Sequence, residues 1–382
     1  MDFSSTRARN EALITMAEAN TASPKTLAAE SLVHAVEGWR FLAAAISSLI
    51  SHGQKQSIHF AYYAELRAAV SILAGNGLRV KYPTSSYVEQ GGSEQAPTWK
   101  REGTHKLVWR LWKDWTAGTD ADSLFLDGLK VHPAIPLRLF KDAIAHVSAA
   151  SNLAAWGRDL QLEHEHNARN AASYEAIDAW TNLSPMVDAD FSFPQELWAL
   201  AEPTTAGLQF EAQLVHWLLK TEAAKLDALQ ADSGKPWLIR VLGEVERLSG
   251  VSENEIRLAL SLDSDPSPVF DHAFSPAVEA KNVIARAFFL LRIACLPLRA
   301  SLSPAGAAPA QAWLHDWLHE AGVLPNPSQM NISDAWADYE PLISVDSPAH
   351  PLASNTLNDR TISSEILRLA RPEAILVWSV CQ

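Results

Sequence analysis

The chain has only two cysteines in 382 residues, Cys295 and Cys381. Two thiols so far apart in sequence build neither a disulfide framework nor a thiolate zinc site, so a reduced protein is expected. Net positive charge is also missing: 31 Lys and Arg stand against 44 Asp and Glu, a formal charge of −13. An acidic surface aids solubility and repels nucleic acid, so any RNA contact must use a local basic pocket. Long apolar runs are absent. The densest, Ala287 to Leu298, is too short for a membrane span and contains Arg292, so it reads as a buried core helix. Met1 to Asn20 lack the apolar segment of a secretory leader, and a cytoplasmic location away from the membrane is expected. There is no G-x-x-x-x-G-K-[ST], no G-x-G-x-x-G after a strand and no G-x-S-x-G. ATPase, dinucleotide oxidoreductase and α/β-hydrolase readings thereby lose their main support, and no cofactor is expected.

What the chain does hold is helix-forming sequence. Hydrophobic residues make up 48% with 14 Trp, and charged residues 20%, enough for a sizeable core. Ser23-Pro24 is a helix start, followed by Leu32, Val33, Val36, Trp39, Leu42 and Ile46 at three- and four-residue spacing until His52-Gly53. A second helix over 54–75 places Ile58, Tyr62, Leu66, Ala69 and Leu73 on one stripe. His59, Tyr63 and Arg67 form another, and Gly75-Asn76-Gly77 stops the helix. Residues 80–103 are rich in turn formers and predict a short hairpin around Gly91-Gly92. Helix resumes at Thr104, with Val108, Leu111, Trp112 and Trp115 on one face, and further helices are expected from Ile135 to about His164 and over 164–178.

Pro185, Pro194, Pro203 and Gly207 mark a boundary between an N-terminal helical domain, 1–185, and a C-terminal helical domain, 205–382. In the second half, helices are expected over 208–230, 236–249, 253–261, 277–299, 310–322 and 361–371. Strand candidates are few and no repeat of fixed period appears, so the fold expected is all-α. Arg286 and Arg292 lie within the apolar run, where they must either reach its edge or pair with acidic neighbours.

Two histidine pairs have spacings that invite a metal-ligand reading. His315 and His319, in WLHDWLHE, share a helix face at i, i+4. The zincin pattern places a Glu base after the first His, and here that position is Asp316, one methylene shorter. Trp313, Leu314, Trp317 and Leu318 make the segment an ordinary amphipathic helix. His164 and His166 diverge by about 200° on a helix and cannot chelate one ion together. No metal site is expected.

The segment HFAYYAELRAAVSILAGNGL, residues 59–78, resembles a helix of HEPN-domain proteins, in which an A-Y-Y-A-type start opens an amphipathic helix ending in small residues and Gly. Thr104-His105-Lys106 resembles the start of a following HEPN helix. Arg169-Asn170 resembles the opening of the family's R-x(4–6)-H motif, although Tyr174 stands where the His would. The resemblance covers about residues 24–178. It implies a HEPN-like helical bundle of a bacterial antiviral-defence or toxin type. Such proteins act as metal-independent endoribonucleases, usually as homodimers in which both motifs face one cleft.

Metal-free RNA cleavage needs a base for the ribose 2′-hydroxyl and a cation for charge building on phosphate. The resemblance gives Arg169 the phosphate and Asn170 the orientation of substrate. A Tyr hydroxyl has a reference pKa near 10 and is a poor base, so Tyr174 is assigned to orienting or stacking. His105, His164 or His166 would supply the imidazole. On an ideal helix Arg169 and Tyr174 lie about 140° apart, so a joint site needs a helix end or the partner subunit. Simpler readings stand beside these: Tyr62 as core, Tyr63 and Arg67 as packing and surface residues, Arg169 paired with Glu165. A non-catalytic scaffold or sensor subunit bound to a partner protein is the alternative function, and a small-molecule regulator a third.

Overall fold

A computed structural model of the chain describes residues 23–51, 53–80, 86–88, 94–95, 103–147, 160, 188–228, 234–302, 308–320, 336–337, 339–344 and 368–381. Helix α1 (Ser23–Ile50) and helix α2 (Gln54–Gly75) follow the expected bounds closely. Their contacts climb one helix while descending the other: Ser57 Oγ donates to Ala45 O (2.8 Å), and Ser71 Oγ to Ser31 O (2.8 Å). The two are therefore an antiparallel hairpin, sewn by buried serines between the apolar stripes. Leu32, Val36, Trp39, Leu42 and Ile46 of α1 are all buried, as the three-to-four spacing requires.

At the end of α2, Asn76 returns its side-chain amide to Ile72 O (2.7 Å), and Gly77 takes φ +86, a conformation that favours glycine. The chain then enters β1 (Leu78–Arg79), β2 (Ser86–Val88) and β3 (Glu94–Gln95), an antiparallel sheet in that order. The β2–β3 pairing brackets Gly91-Gly92, which lie outside the described residues.

Helix α3 (Thr104–Thr116) buries Val108, Leu111, Trp112 and Trp115. Helix α4 (Thr119–Gly128) and the hairpin of β4 (Lys130–His132) and β5 (Ile135–Pro136) follow it. Helix α5 begins at Leu137 and runs to Val147, where the sequence reading began it at Ile135. The cause is local: a residue before proline is pushed toward extended backbone, and Ile135 pairs with His132 instead.

The proline-rich stretch over 181–207 contains helix α6 (Asp188–Leu200), which continues through Pro194. Its buried Phe193, Leu197, Trp198 and Leu200 offset the backbone bond that proline forgoes. Trp198 also donates its indole N–H to Leu369 O (2.9 Å) and stacks on Tyr339. Next come α7 (Gln209–Ala228), α8 (Gly234–Ser249), α9 (Glu253–Leu260), α10 (Val269–Ala273), α11 (Ala280–Leu302) and α12 (Ala308–Glu320). A 3-10 turn at Glu340–Ser344 and helix α13 (Glu373–Cys381) complete the described elements. The helix expected over 361–371 lies mostly outside the described residues; α13, just beyond it, was not expected. The fold is all-α with two small antiparallel sheets.

Helix α11 is the axis of the molecule, packing on α1, α2, α4, α6, α10, α12 and α13. Every residue from Asn282 to Cys295 is buried. A Cβ at Gly38 would sit 2.6 Å from Leu291 Cδ2, so a larger residue there would have to displace the end of the Leu291 side chain. Both arginines within the apolar run are paired inside the core. Arg286 lies 3.5 Å from Glu65 Oε1 and donates to Ser275 O (2.7 Å) and Ala277 O (3.3 Å). Arg292 pairs with Glu211, whose second oxygen accepts Leu208 N–H (2.8 Å). The same core of buried residues includes side chains from both halves of the chain. No helix among the described residues is long and apolar enough to cross a membrane.

Candidate functional site

Of the residues singled out from sequence, Arg169, Asn170 and Tyr174, with His164 and His166, lie outside the described residues. His105 is described, and it sits in the first turn of α3 against the middle of α2. Tyr62, fully buried, places its hydroxyl 2.8 Å from His105 Nδ1 and 3.3 Å from Trp109 Nε1. An indole N–H can only donate, so the hydroxyl accepts from Trp109 and is set to donate onward to His105 Nδ1. Neutral His105 then carries its proton on Nε2. The Tyr62 and His105 rings lie nearly parallel, 5.7 Å between centroids.

One residue along α2 the aromatic cluster continues outward. Tyr63 stacks on Phe41 of α1 (5.3 Å, 25° between planes) and touches His59, one turn earlier, at 5.1 Å. A turn later Arg67 bridges the helix hairpin. Its Nη1 lies 3.0 Å from His34 Nδ1 and its Nε 3.1 Å from Glu37 Oε2. Burial, then the neighbouring Arg67 charge, pushes the His34 pKa down to about 3. His34 is therefore neutral near pH 7 and accepts from Arg67, orienting the guanidinium.

Beside this bridge lies a cavity of about 430 Å³ between α1, α2 and the start of α13. Arg40, Arg67 and Arg371 line it together with Glu37 and Glu373, over a floor that includes Phe41, Phe60, Ala43 and Ala44. Glu373 is almost fully buried, and burial pushes its carboxyl pKa upward against the opposing pull of Arg371 and Arg40. Arg371 Nε is 3.4 Å from Glu373 Oε1. The arrangement is a guanidinium-rich pocket within an acidic chain.

A second, wider cavity of about 870 Å³ is lined by Lys130, Arg299, Gln311 and His315, among others. His315 faces it half-buried, while His319 is exposed. Among the described residues no group of three or more His, Cys, Asp or Glu could hold a metal ion.

Sequence reasoning noticed Arg67 through its stripe with His59 and Tyr63, but assigned it to packing and surface. It did not find His34, Glu37, Arg40, Arg371 or Glu373. For the α1 residues the signal was available: His34 and Glu37 lie on the turn that faces Arg67 across an antiparallel hairpin. Nothing in the sequence ties Arg371 and Glu373 to α1. Comparison with known proteins finds no matching family model, no matching curated protein and no matching solved structure.

Proposed function

We propose that this chain is a HEPN-like helical protein of a bacterial defence or toxin-type system, acting on RNA as a metal-independent endoribonuclease. The observation that carries the reading is the meeting of two segments on which the resemblance rests. Tyr62 of AYYA and His105 of Thr-His-Lys share a hydrogen bond of 2.8 Å, across 43 residues of sequence. In this reading Arg169 binds the scissile phosphate, Asn170 orients it and Tyr174 stacks on a neighbouring base. Two subunits contribute one Arg169 each, giving a dyad-related basic pocket that works within a chain of charge −13. His105, with Nδ1 engaged by Tyr62, presents an N–H at Nε2. That suits a hydrogen bond to a phosphate oxygen, and leaves His164 or His166 to take the 2′-hydroxyl proton. The test is RNA cleavage by purified protein in EDTA, wild type beside Arg169→Ala. Cleavage leaving cyclic phosphate ends, abolished in the variant, is expected; full activity in the variant would end the assignment.

The second reading is a non-catalytic scaffold or sensor subunit that binds a partner protein. Its support is the same imidazole: His105 is half-buried among Tyr62, Tyr63 and Trp109, as a packing residue would be. His105→Gln separates the two. Lost stability with undiminished cleavage makes His105 structural. No cleavage by wild type, with a specific protein co-purifying, makes the whole chain a scaffold.

A further inference from the structure

We infer that the wide cavity between α4, β4, α11 and α12 binds a small organic phosphate with an apolar body. None of its described lining residues belongs to the nuclease reading. At about 870 Å³ it lies within the roughly 300–1,000 Å³ typical of small-molecule sites.

Local structure brings a different polar group to each wall. In β4 the alternation of the strand buries Val131 and leaves Lys130 outward. In α11, Leu296, Arg299 and Leu302 recur every three residues, so Arg299 stands in the wall between two leucines. It lies in the last helical turn, whose carbonyl ends favour a cation. In α12, Gln311, Leu314 and His315 share one face by the same kind of spacing. Gln311 Nε2 donates to Leu302 O (2.5 Å), tying the wall that bears His315 to the wall that bears Arg299. The two walls are joined before a ligand arrives, which lowers the ordering cost of binding.

The side chains of Lys130 and Arg299 form no hydrogen bond or ion pair with any described residue. Asp127, which lines the same space, gives its two oxygens to Arg138 Nε (2.5 Å) and Nη2 (2.6 Å). Its charge is therefore answered by Arg138 and not by Lys130 or Arg299. An ammonium, a guanidinium and an imidazole presented from three elements suit a head group whose acceptors point in several directions. A phosphate monoester has three such oxygens. A carboxylate has two in one plane, and a single guanidinium fork satisfies both. Leu296, Leu302, Leu314, Pro133 and Val380 stand beside these groups, a surface that rewards burial of a ring or chain.

Isothermal titration of the full chain with phenyl phosphate tests this. Inorganic phosphate serves as the head without the body, benzoate as the body with a planar head, and benzyl alcohol as the body without the charge. Phenyl phosphate is expected to bind at a single saturable site, with each control at least about tenfold weaker. Arg299→Gln and Lys130→Gln should each weaken it about tenfold, whereas Lys220→Gln, which removes an exposed cation on α7, should not. Neither of the first two substitutions breaks a hydrogen bond or ion pair among the described residues, so both variants should melt with the wild type. No saturable binding of phenyl phosphate at millimolar concentration would overturn the inference. So would binding unchanged in both Arg299→Gln and Lys130→Gln, an equal loss in Lys220→Gln, or inorganic phosphate or benzoate binding as tightly as phenyl phosphate.

Discussion

Arg292 with Glu211 and Arg67 with Glu37 are the same pair of groups in two media. The first pair joins α11 to α7 with both side chains at most 3% exposed; the second spans the α1–α2 hairpin with side chains 33% and 28% exposed. Taken out of water, an ion pair has no alternative partners, and its loss leaves a charge stranded in the core. At the edge of water the attraction is weak, but the donors remain exchangeable. Burial therefore turns one pair into a fixed joint of the architecture. The second pair, with both side chains partly exposed, is screened by solvent and contributes less.

The sharpest way to break this contrast is to remove one carboxylate from each pair. Glu211→Ala should cost about 3–5 kcal/mol in urea unfolding, since Arg292 and the Leu208 N–H both lose their acceptor. The double change Arg292→Met with Glu211→Leu should recover most of that loss. Glu37→Gln should cost less than about 1 kcal/mol. Equal losses in Glu211→Ala and Glu37→Gln would remove the distinction.

Tyr62→Phe comes next. It strips the shared oxygen from Trp109 Nε1 and His105 Nδ1, an expected cost of about 1–2 kcal/mol by the same unfolding measurement. An unchanged midpoint would show that this relay is not a stabilising contact.

The cavity edge also predicts a pH dependence. The His34 pKa falls from 6.5 to about 3 on folding, so the folded state binds fewer protons than the unfolded chain. Its contribution is complete above pH 6.5 and is lost as pH falls from there toward 3. The imidazole is 20% exposed, and a loss of about 1 kcal/mol between pH 7 and pH 5 is expected from it. Glu373 acts oppositely: its raised pKa favours the fold below 4.5, and that contribution fades as pH rises. The readout is therefore the difference between wild type and His34→Gln, whose stability should fall less on acidification. Parallel pH profiles for the two would remove His34 from the account. The smallest effect belongs to Asp127→Ala. It breaks an exposed pair with Arg138 and should cost no more than about 1 kcal/mol, less still in high salt.

These contrasts also show which features could be read from the chain. Helices α1 and α2 were legible to within a residue or so because their signals are local: apolar spacing, Ser23-Pro24 at the start, and Gly75-Asn76-Gly77 at the end. Helix α6 was not, because Pro185, Pro194 and Pro203 read as a break. What overrides them is tertiary, the burial of Trp198 against Leu369 and Tyr339. Arg286 and Arg292 were recognised as charges that needed partners. Their partners, Glu65 and Glu211, are distant in sequence and carry no pattern that marks them. The cavity has the same character. Arg67 belonged to a visible stripe, whereas Glu373 reaches the site through packing of α13 on α11 and α1.

Helix α11 also carries its own reporter of opening. Cys295 is fully buried within it, and burial pushes the thiol pKa up to about 11. A thiol in that state is unreactive toward alkylating reagents, because the nucleophile is the thiolate. With Cys381 replaced by serine, labelling of Cys295 would proceed only through transient exposure of the central helix. Its rate would count how often the folded molecule comes apart, without any denaturant being added.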